Sequence, residues 1–472
     1  MALKPLTPND AMFLMGESRD TMMHVAGLLP FSPPADAPPD FLRGVLDELR
    51  ATGEIHPPWN LKLRFPELLK SPIQAWVKDQ TLDIDYHVRR SALPAPGDER
   101  ELGVLVSRLH SHPVDFHKPP WEVHLIEGLE GGRFALYCKV HHSLVDGFTS
   151  MRILKRTLST DPDARGQPLF FAVPPTHVPH HAEAPMDPSE PPGAPFGALM
   201  GMVRSQLGTA RSLGSSLMDA VRAARRPDST LERSLRAPPS ILNGRIGRNR
   251  RFATQQLSLA RVKAVAKTAG GTLNDVVLAL SAGGLRRFLS EMGALPDAPL
   301  ITMLPVNARP KDDPGGGNAV GAILASLATH LADPLARLRE IITSTRQAKD
   351  QLQGLSGNAI IQLSMLTMVP FALQMLTGTI GRIRPAFNVV ISNVAGPEQP
   401  LYFRGARLEA AYPMSIPFHG LALNITCQSY AGSLNLGFIG CRDTLPHMQR
   451  LAVYSGEALA ELESALGMTV LT

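Results

Sequence analysis

Two adjacent histidines, His141 and His142, open the run His-His-Ser-Leu-Val-Asp-Gly, which closes on Asp146 and Gly147. An imidazole with an ordinary pKa of about 6.5 is largely neutral at pH 7 and can take a proton from a hydroxyl as that oxygen attacks a carbonyl. The run starts where an alternating segment ends: between Arg133 and Val140, Phe134, Leu136, Cys138 and Val140 alternate with Ala135, Tyr137 and Lys139. That is the period of a strand. A strand end is a rigid mount for a reactive ring, and Gly147 lets the backbone turn into a helix expected over Phe148 to Leu158.

Competing chemistries leave weaker marks. The sequence has no Gly-x-Ser-x-Gly elbow, and of its three cysteines, Cys138, Cys427 and Cys441, only Cys138 lies near the histidines. An odd cysteine count without CxxC spacing indicates neither a disulfide framework nor a zinc site. Ser143 is the one candidate nucleophile, but a neighbour of His142 at a strand end points away from that ring. His110, His112, His117 and His124 are separated by prolines at mixed spacing, which suits scattered surface histidines better than metal ligands. No metal is expected.

The elements that must position the motif divide in two. A chain of 472 residues exceeds one compact core, so two α/β (α+β) domains are expected. The proline-dense stretch from Asp161 to Pro195 cannot hold a helix or a central strand and reads as a linker. After it, Phe196 to Arg226 has amphipathic helical spacing and a basic end, suiting either packing on a domain or a membrane surface. The boundaries fall at 1–160, 161–240 and 241–472. Phe387 to Ser392 and Ser433 to Ile439 read as strands, and Leu335 to Gln353 and Met448 to Leu466 as helices.

Hydrophobic residues make up 44% of the chain and charged residues 19%, and the net charge is +5. No segment combines dense Lys/Arg with interleaved aromatics, which argues against nucleic acid; anionic phosphates of a cofactor-like substrate or a lipid surface are the better counterpart. The first twenty residues carry Asp10, Glu17 and Asp20 and no basic region ahead of an unbroken apolar run, so secretion is not expected and a reducing cytoplasm fits. Gln351 to Gly381 holds no Asp or Glu and no Lys or Arg, but Pro370 and polar residues such as Gln362 and Gln374 interrupt it. It suits a buried or surface-embedded helix pair better than a membrane span.

The histidine run resembles the HHxxxDG mark of the CoA-dependent acyltransferase superfamily and, within it, the bacterial wax ester synthase/diacylglycerol acyltransferase family. Further segments agree in order along the chain. Pro120-Trp121-Glu122 is similar to the family's PLW segment, with proline where leucine is usual. Gly271 to Ala279 resembles its Asn-Asp helix, Leu304 to Arg309 its Pro-Val-x-x-Arg strand, and Asn388 to Pro397 its Ser-Asn-x-x-Gly-Pro segment.

The resemblance implies two chloramphenicol-acetyltransferase-like domains forming a pseudodimer around an interdomain tunnel. It implies a long-chain acyl transfer from acyl-CoA, a substrate rather than a cofactor, to diacylglycerol or a long-chain alcohol. His142 is then the general base and His141 holds the loop. Asp146 takes a structural role with Arg309 as a guessed partner, and Asn274 orients the alcohol or stabilises the oxyanion. Asp275 is either a helix cap or an interdomain residue, and Trp121 is core or substrate contact. Gly147, Ser392 and Asn393 shape the substrate site. A thiol leaves with a pKa of about 8 to 9, far more easily than an alkoxide, so direct transfer needs no enzyme nucleophile. A cytoplasmic protein at the inner membrane or on lipid droplets is implied. A stand-alone condensation-type domain using carrier-bound acyl groups and a non-catalytic lipid-binding protein are the alternatives.

Overall fold

Strand alternation builds the sheet that carries the histidines. The computed structural model describes residues 4–51, 53–71, 74–145, 154–167, 170–172, 237–307, 320–350, 374 and 377–468. Within the first half lie β2 (His24–Ser32), β5 (Val88–Ala92), β6 (Trp121–Glu127) and β7 (Phe134–His141). They join β12 (Tyr402–Phe403) and β13 (Ala406–Leu408) in the order β12-β13-β2-β7-β6-β5, and β14 (Tyr412–Met414) also pairs with β2. A small antiparallel sheet of β1 (Lys4–Pro5), β4 (Ala75–Lys78) and β3 (Leu61–Leu63) lies apart.

Alternate residues of β7 serve opposite faces. Phe134, Leu136 and Val140 pack with Val45, Leu46 and Leu49 of α2 (Phe41–Arg50), whereas Ala135 and Tyr137 pack with Leu102, Leu105 and Val106 of α4 (Glu99–His110). Two further helices of this half are α1 (Pro8–Gly16) and α3 (Ile84–His87).

The second half forms a six-stranded sheet in the order β10-β9-β11-β15-β16-β8, from β8 (Arg250–Ser258), β9 (Ile301–Asn307), β10 (Val320–Ser326), β11 (Val389–Val394), β15 (Leu423–Tyr430) and β16 (Ser433–Cys441). Its helices are α5 (Leu259–Thr268), α6 (Leu273–Glu291), α7 (Pro334–Asp350) and α8 (Arg450–Ala465). One core joins Val276, Leu280 and Leu285 of α6 to Leu451 and Leu459 of α8 and to Ile391, Ile425 and Phe438 of the sheet. The two helices approach closely at Gly283 and Gly284, where an added Cβ would come within 2.9 Å of Ala458 and 2.8 Å of Ser455. The strand and helix ranges read from spacing fall within a few residues of β7, β11, β16, α7 and α8.

The sequence divides more simply than the molecule does. Tyr402 to Met414 comes from the second half yet completes the first sheet. Phe252 of β8, Met414 of β14 and Ile439 of β16 share a core with α4 and Tyr137. Hydrogen bonds reinforce that seam: the Phe252 and Arg250 amides donate to the hydroxyls of Ser107 (2.9 Å) and Ser111 (2.8 Å).

Beneath α4 a polar network is buried. Lys139, 2% exposed, lies 3.1 Å from the Glu122 carboxylate and also donates to the carbonyls of Leu109 and His112. Burial alone would raise the Glu122 pKa, but the hydrogen bond from His124 and the charges of Lys139 and Arg89 bring it down to about 2. His110 and His124 are 1% and 3% exposed, which corrects the surface placement expected for them. His110 bonds the Tyr137 hydroxyl through Nδ1 at 2.8 Å, and burial holds its imidazole well below the usual range.

Because the folded carboxyl of Glu122 titrates at about 2 rather than the ordinary 4.5, its contribution is present above pH 4.5 and is lost as pH falls toward 2. The shift corresponds to about 3 kcal/mol. Replacing Glu122→Gln strands Lys139, and is expected to cost ~3–5 kcal/mol at pH 7 while flattening the acid limb. Urea midpoints of both proteins across pH 2 to 7 check this; parallel acid limbs would refute it.

Candidate active site

The register of β2 against β7 sets the histidines. His24 pairs with His141, and the next amide, that of His142, donates to the Met23 carbonyl at 2.9 Å. Beyond β7 the chain leaves the strand in a turn closed by the Leu144 amide on the His141 carbonyl, at 2.9 Å.

His141 has no exposed surface and is held at both ring nitrogens. The Ser143 amide reaches Nδ1 at 3.2 Å, and because an amide only donates, Nδ1 must accept. The neutral ring then carries its proton on Nε2, which faces the Glu17 carboxylate at 3.3 Å. The same carboxylate oxygen takes the Met23 amide at 2.6 Å, so Glu17, the residue that follows α1, holds both His141 and the residue that precedes β2. Phe116 meets the His141 ring edge-on at 5.0 Å.

His142 is half-buried and lies outside that lock. Its ring stacks face to face on Phe13 of α1, with centroids 4.1 Å apart and planes 18° from parallel, and its Nδ1 is shielded from solvent. Ser143 turns from His142: its hydroxyl lies 2.6 Å from His141 Nδ1, and the residue is 5% exposed. Burial pushes the Cys138 and Cys427 thiols up to about 12, far from the thiolate a nucleophile requires.

The other predicted site residues are dispersed over the two halves. Asp275 closes the capping box of α6, accepting the Thr272 amide and hydroxyl at 2.7 Å each, and takes the Thr345 hydroxyl at 2.6 Å. At 2% exposure it is placed as the helix cap rather than as a residue facing substrate. Asn274 precedes it, half-buried on the first turn of α6. Trp121 sits in the core at 1% exposure, its indole N–H on the Trp59 carbonyl at 2.7 Å and its ring stacked on His87 and Phe171. Ser392 and Asn393 are half-buried on β11, in parallel register with Thr426 and Cys427. Asp146, Gly147 and Arg309 lie outside the described residues, as do the helix read over Phe196 to Arg226 and most of Gln351 to Gly381. Among the described residues no helix is long and apolar enough to cross a membrane, and no His/Cys/Asp/Glu group is arranged to hold a metal ion.

Glu17 and Phe13 were not identified as site residues by sequence reasoning. Glu17 is one of three acids near the N-terminus, and nothing in its neighbourhood links it to a histidine 124 positions away. The spacing of four between Phe13 and Glu17, which sets them on one side of a helical turn, is the only local signal.

Comparison with known proteins places this geometry. The wax ester synthase/diacylglycerol acyltransferase catalytic domain model matches residues 6–277, and the C-terminal domain model of the same family matches residues 316–463. A Mycobacterium tuberculosis protein named as a diacylglycerol O-acyltransferase is 52% identical over 98% of this chain and 97% of its own. The O-acyltransferase WSD of Acinetobacter baylyi is 39% identical, with 98% of each chain covered. The solved wax ester synthase/diacylglycerol acyltransferase of Marinobacter aquaeolei VT8 superposes with a TM-score of 0.79 at 38% identity, over 98% of this chain and all of that one. A condensation domain of the calcium-dependent antibiotic synthetase shares the fold at a TM-score of 0.55 and 16% identity, which extends the two-domain architecture but not the chemistry. With its histidine pair on a strand end and both family domains matched in order, the chain belongs to the wax ester synthase/diacylglycerol acyltransferase family.

Proposed function

We propose that this acyltransferase moves a long-chain acyl group from acyl-CoA to the hydroxyl of diacylglycerol or a long-chain alcohol, with His142 as general base. The observation that carries the reading is the unequal treatment of the two histidines. His141 is locked by Ser143 and Glu17, whereas His142 stands outside the lock, half-buried against Phe13. Its Nδ1 is shielded from solvent, and the reading assigns the proton transfer to Nε2.

The reaction follows in two bond changes. As the alcohol oxygen attacks the thioester carbonyl, its proton passes to His142 and the carbonyl electrons move onto oxygen. Collapse of that oxyanion expels the CoA thiolate, which takes the proton back from the imidazolium. A donor aimed at the oxyanion lowers the barrier by roughly 3 to 4 kcal/mol, and Asn274, half-buried on the first turn of α6, is the proposed source. The elevated pKa values of Cys138 and Cys427 and the burial of Ser143 favour direct transfer over an acyl-enzyme. Enclosing the reactants between the two halves, in the interdomain tunnel that the family resemblance implies, would keep water from the thioester. Both acceptors partition into lipid, so the enzyme works at a membrane or droplet surface, and acyl-CoA is a substrate rather than a resident cofactor.

Replacing His142→Ala is expected to lower kcat by roughly 100- to 10,000-fold, the usual worth of a general base. Ser143→Ala, which removes a hydroxyl from His141 but keeps the backbone amide on Nδ1 and touches no reacting group, should retain most activity. Ester formation from labelled palmitoyl-CoA, with diacylglycerol and a long-chain alcohol as separate acceptors, reads both. Full activity of the His142 variant, or an acyl group trapped on Ser143, would overturn the mechanism. Flotation with liposomes tests the surface assignment: charges introduced at Leu366 and Leu373 should reduce flotation if that apolar stretch contacts lipid.

A further inference from the structure

The N-terminal helix and the residue that follows it supply two side chains to the histidine pair from more than a hundred residues away, and neither has a role in the mechanism above. Phe13 lies flat on His142 at 4.1 Å, and Glu17, four residues later, accepts from His141 Nε2 at 3.3 Å. We propose that Phe13 and Glu17 are positioning residues of the transfer reaction: Phe13 fixes the plane of the His142 imidazole, and Glu17 fixes the backbone and ring of His141 on which that imidazole is mounted. The inference rests on the reading of His142 as the base.

General-base catalysis depends on direction as well as distance. Nε2 must point its lone pair along the O–H bond of the acceptor, and a misplacement of about 1 Å can cost on the order of 100-fold in rate. His142 follows the last residue of its strand, so backbone pairing fixes its Cα through the Met23 carbonyl but does not itself set its side-chain torsions. A parallel aromatic ring at stacking distance opposes that rotation, because tilting the imidazole out of plane forfeits the contact across its face. A branched aliphatic residue would fill the same space but present no flat surface.

Glu17 acts one step further back. One of its oxygens receives both the Met23 amide and the His141 ring, joining the residue before β2, whose carbonyl holds His142, to the histidine that precedes His142. Ser143 completes the clamp from the other ring nitrogen. Glu17 is 7% exposed and therefore placed to serve this bond rather than solvent or substrate. The start of α1 is itself anchored by its Thr7–Asp10 capping box and by the Trp76 indole on Asp10 at 3.3 Å, so the helix is a fixed post rather than a loose arm.

Steady-state kinetics of the full chain separates positioning from packing. Phe13→Leu is expected to lower kcat by about 10- to 100-fold with KM for both substrates changed less than about threefold, and Phe13→Tyr, which restores the flat face, to recover most of the loss. Glu17→Ala should reduce kcat similarly, whereas Glu17→Gln, whose amide oxygen can still accept, should lose less. Adding Phe13→Leu to a His142→Ala background should have almost no further effect, since there is then no ring to hold. A rise in KM at constant kcat, equal loss in the Leu and Tyr variants, or additive losses in the double variant would each overturn the proposal. Should Phe13→Leu fail to fold, the Glu17→Gln and Glu17→Ala pair decides alone: equal kcat in both, at wild-type melting temperature, rejects the clamp. Activity surviving His142→Ala would instead defeat the base assignment itself, a separate outcome.

Discussion

The pairing of His24 with His141 across β2 and β7 is the constraint from which the rest of the site follows. A strand reverses face at every residue, so a slip of one position would send His141 to the α2 side and carry the next histidine with it. Nothing in a backbone ladder alone forbids that slip; side chains must. Phe134, Leu136 and Val140 match the apolar core under α2, and the Glu17 carboxylate takes the Met23 amide and His141 together. Register and hydrogen bonding thus select the same alignment.

The opposite face of β7 presents Tyr137, Lys139 and His141 in sequence, each buried and each with a named polar partner: His110, Glu122 and Glu17. Such a row is a poor way to gain stability, because the desolvation of two charges roughly cancels their attraction. Its physical effect is on alternatives. In any other register Lys139 or Glu122 would be buried alone, a penalty of several kcal/mol, so the network disfavours misalignment more than it rewards the native state. Since Ser107 of α4 and Ser111 just after it receive the amides of β8, the row that fixes the histidines adjoins the seam between the two halves.

The strands and helices with a clear period were legible from spacing alone, and β7 with its terminal histidines most clearly of all. What was illegible depended on contacts between distant segments. Alternation reveals that Tyr137 and Lys139 share a face, but not that His110 and Glu122 wait there, so His110 and His124 read as surface residues although both are buried. The crossing of Tyr402 to Met414 into the first sheet escaped for a related reason: β12 to β14 span two or three residues each, too short for a period to show. Asp275 illustrates the intermediate case. Thr272 three residues before it spells a capping box in the sequence, yet only the Thr345 hydroxyl on its second oxygen shows the carboxylate to be fully engaged.

Paired histidines on one strand end could serve as two bases or as none, and the environment decides. His141 gives its basic nitrogen to Ser143 and its proton to Glu17, which removes it from chemistry while making it a stiff support. The adjacent ring, carried on the same backbone, inherits that stiffness and lies against Phe13 instead of in the Ser143–Glu17 clamp. Division of labour between a bound and a presented imidazole requires that they be consecutive, because an intervening residue would decouple the support from the ring it steadies. It also requires that the strand end between them, so that the two side chains can diverge: in continued β geometry both would lie against packed faces. The turn after His141 meets that requirement, and the Met23 carbonyl sets where it begins.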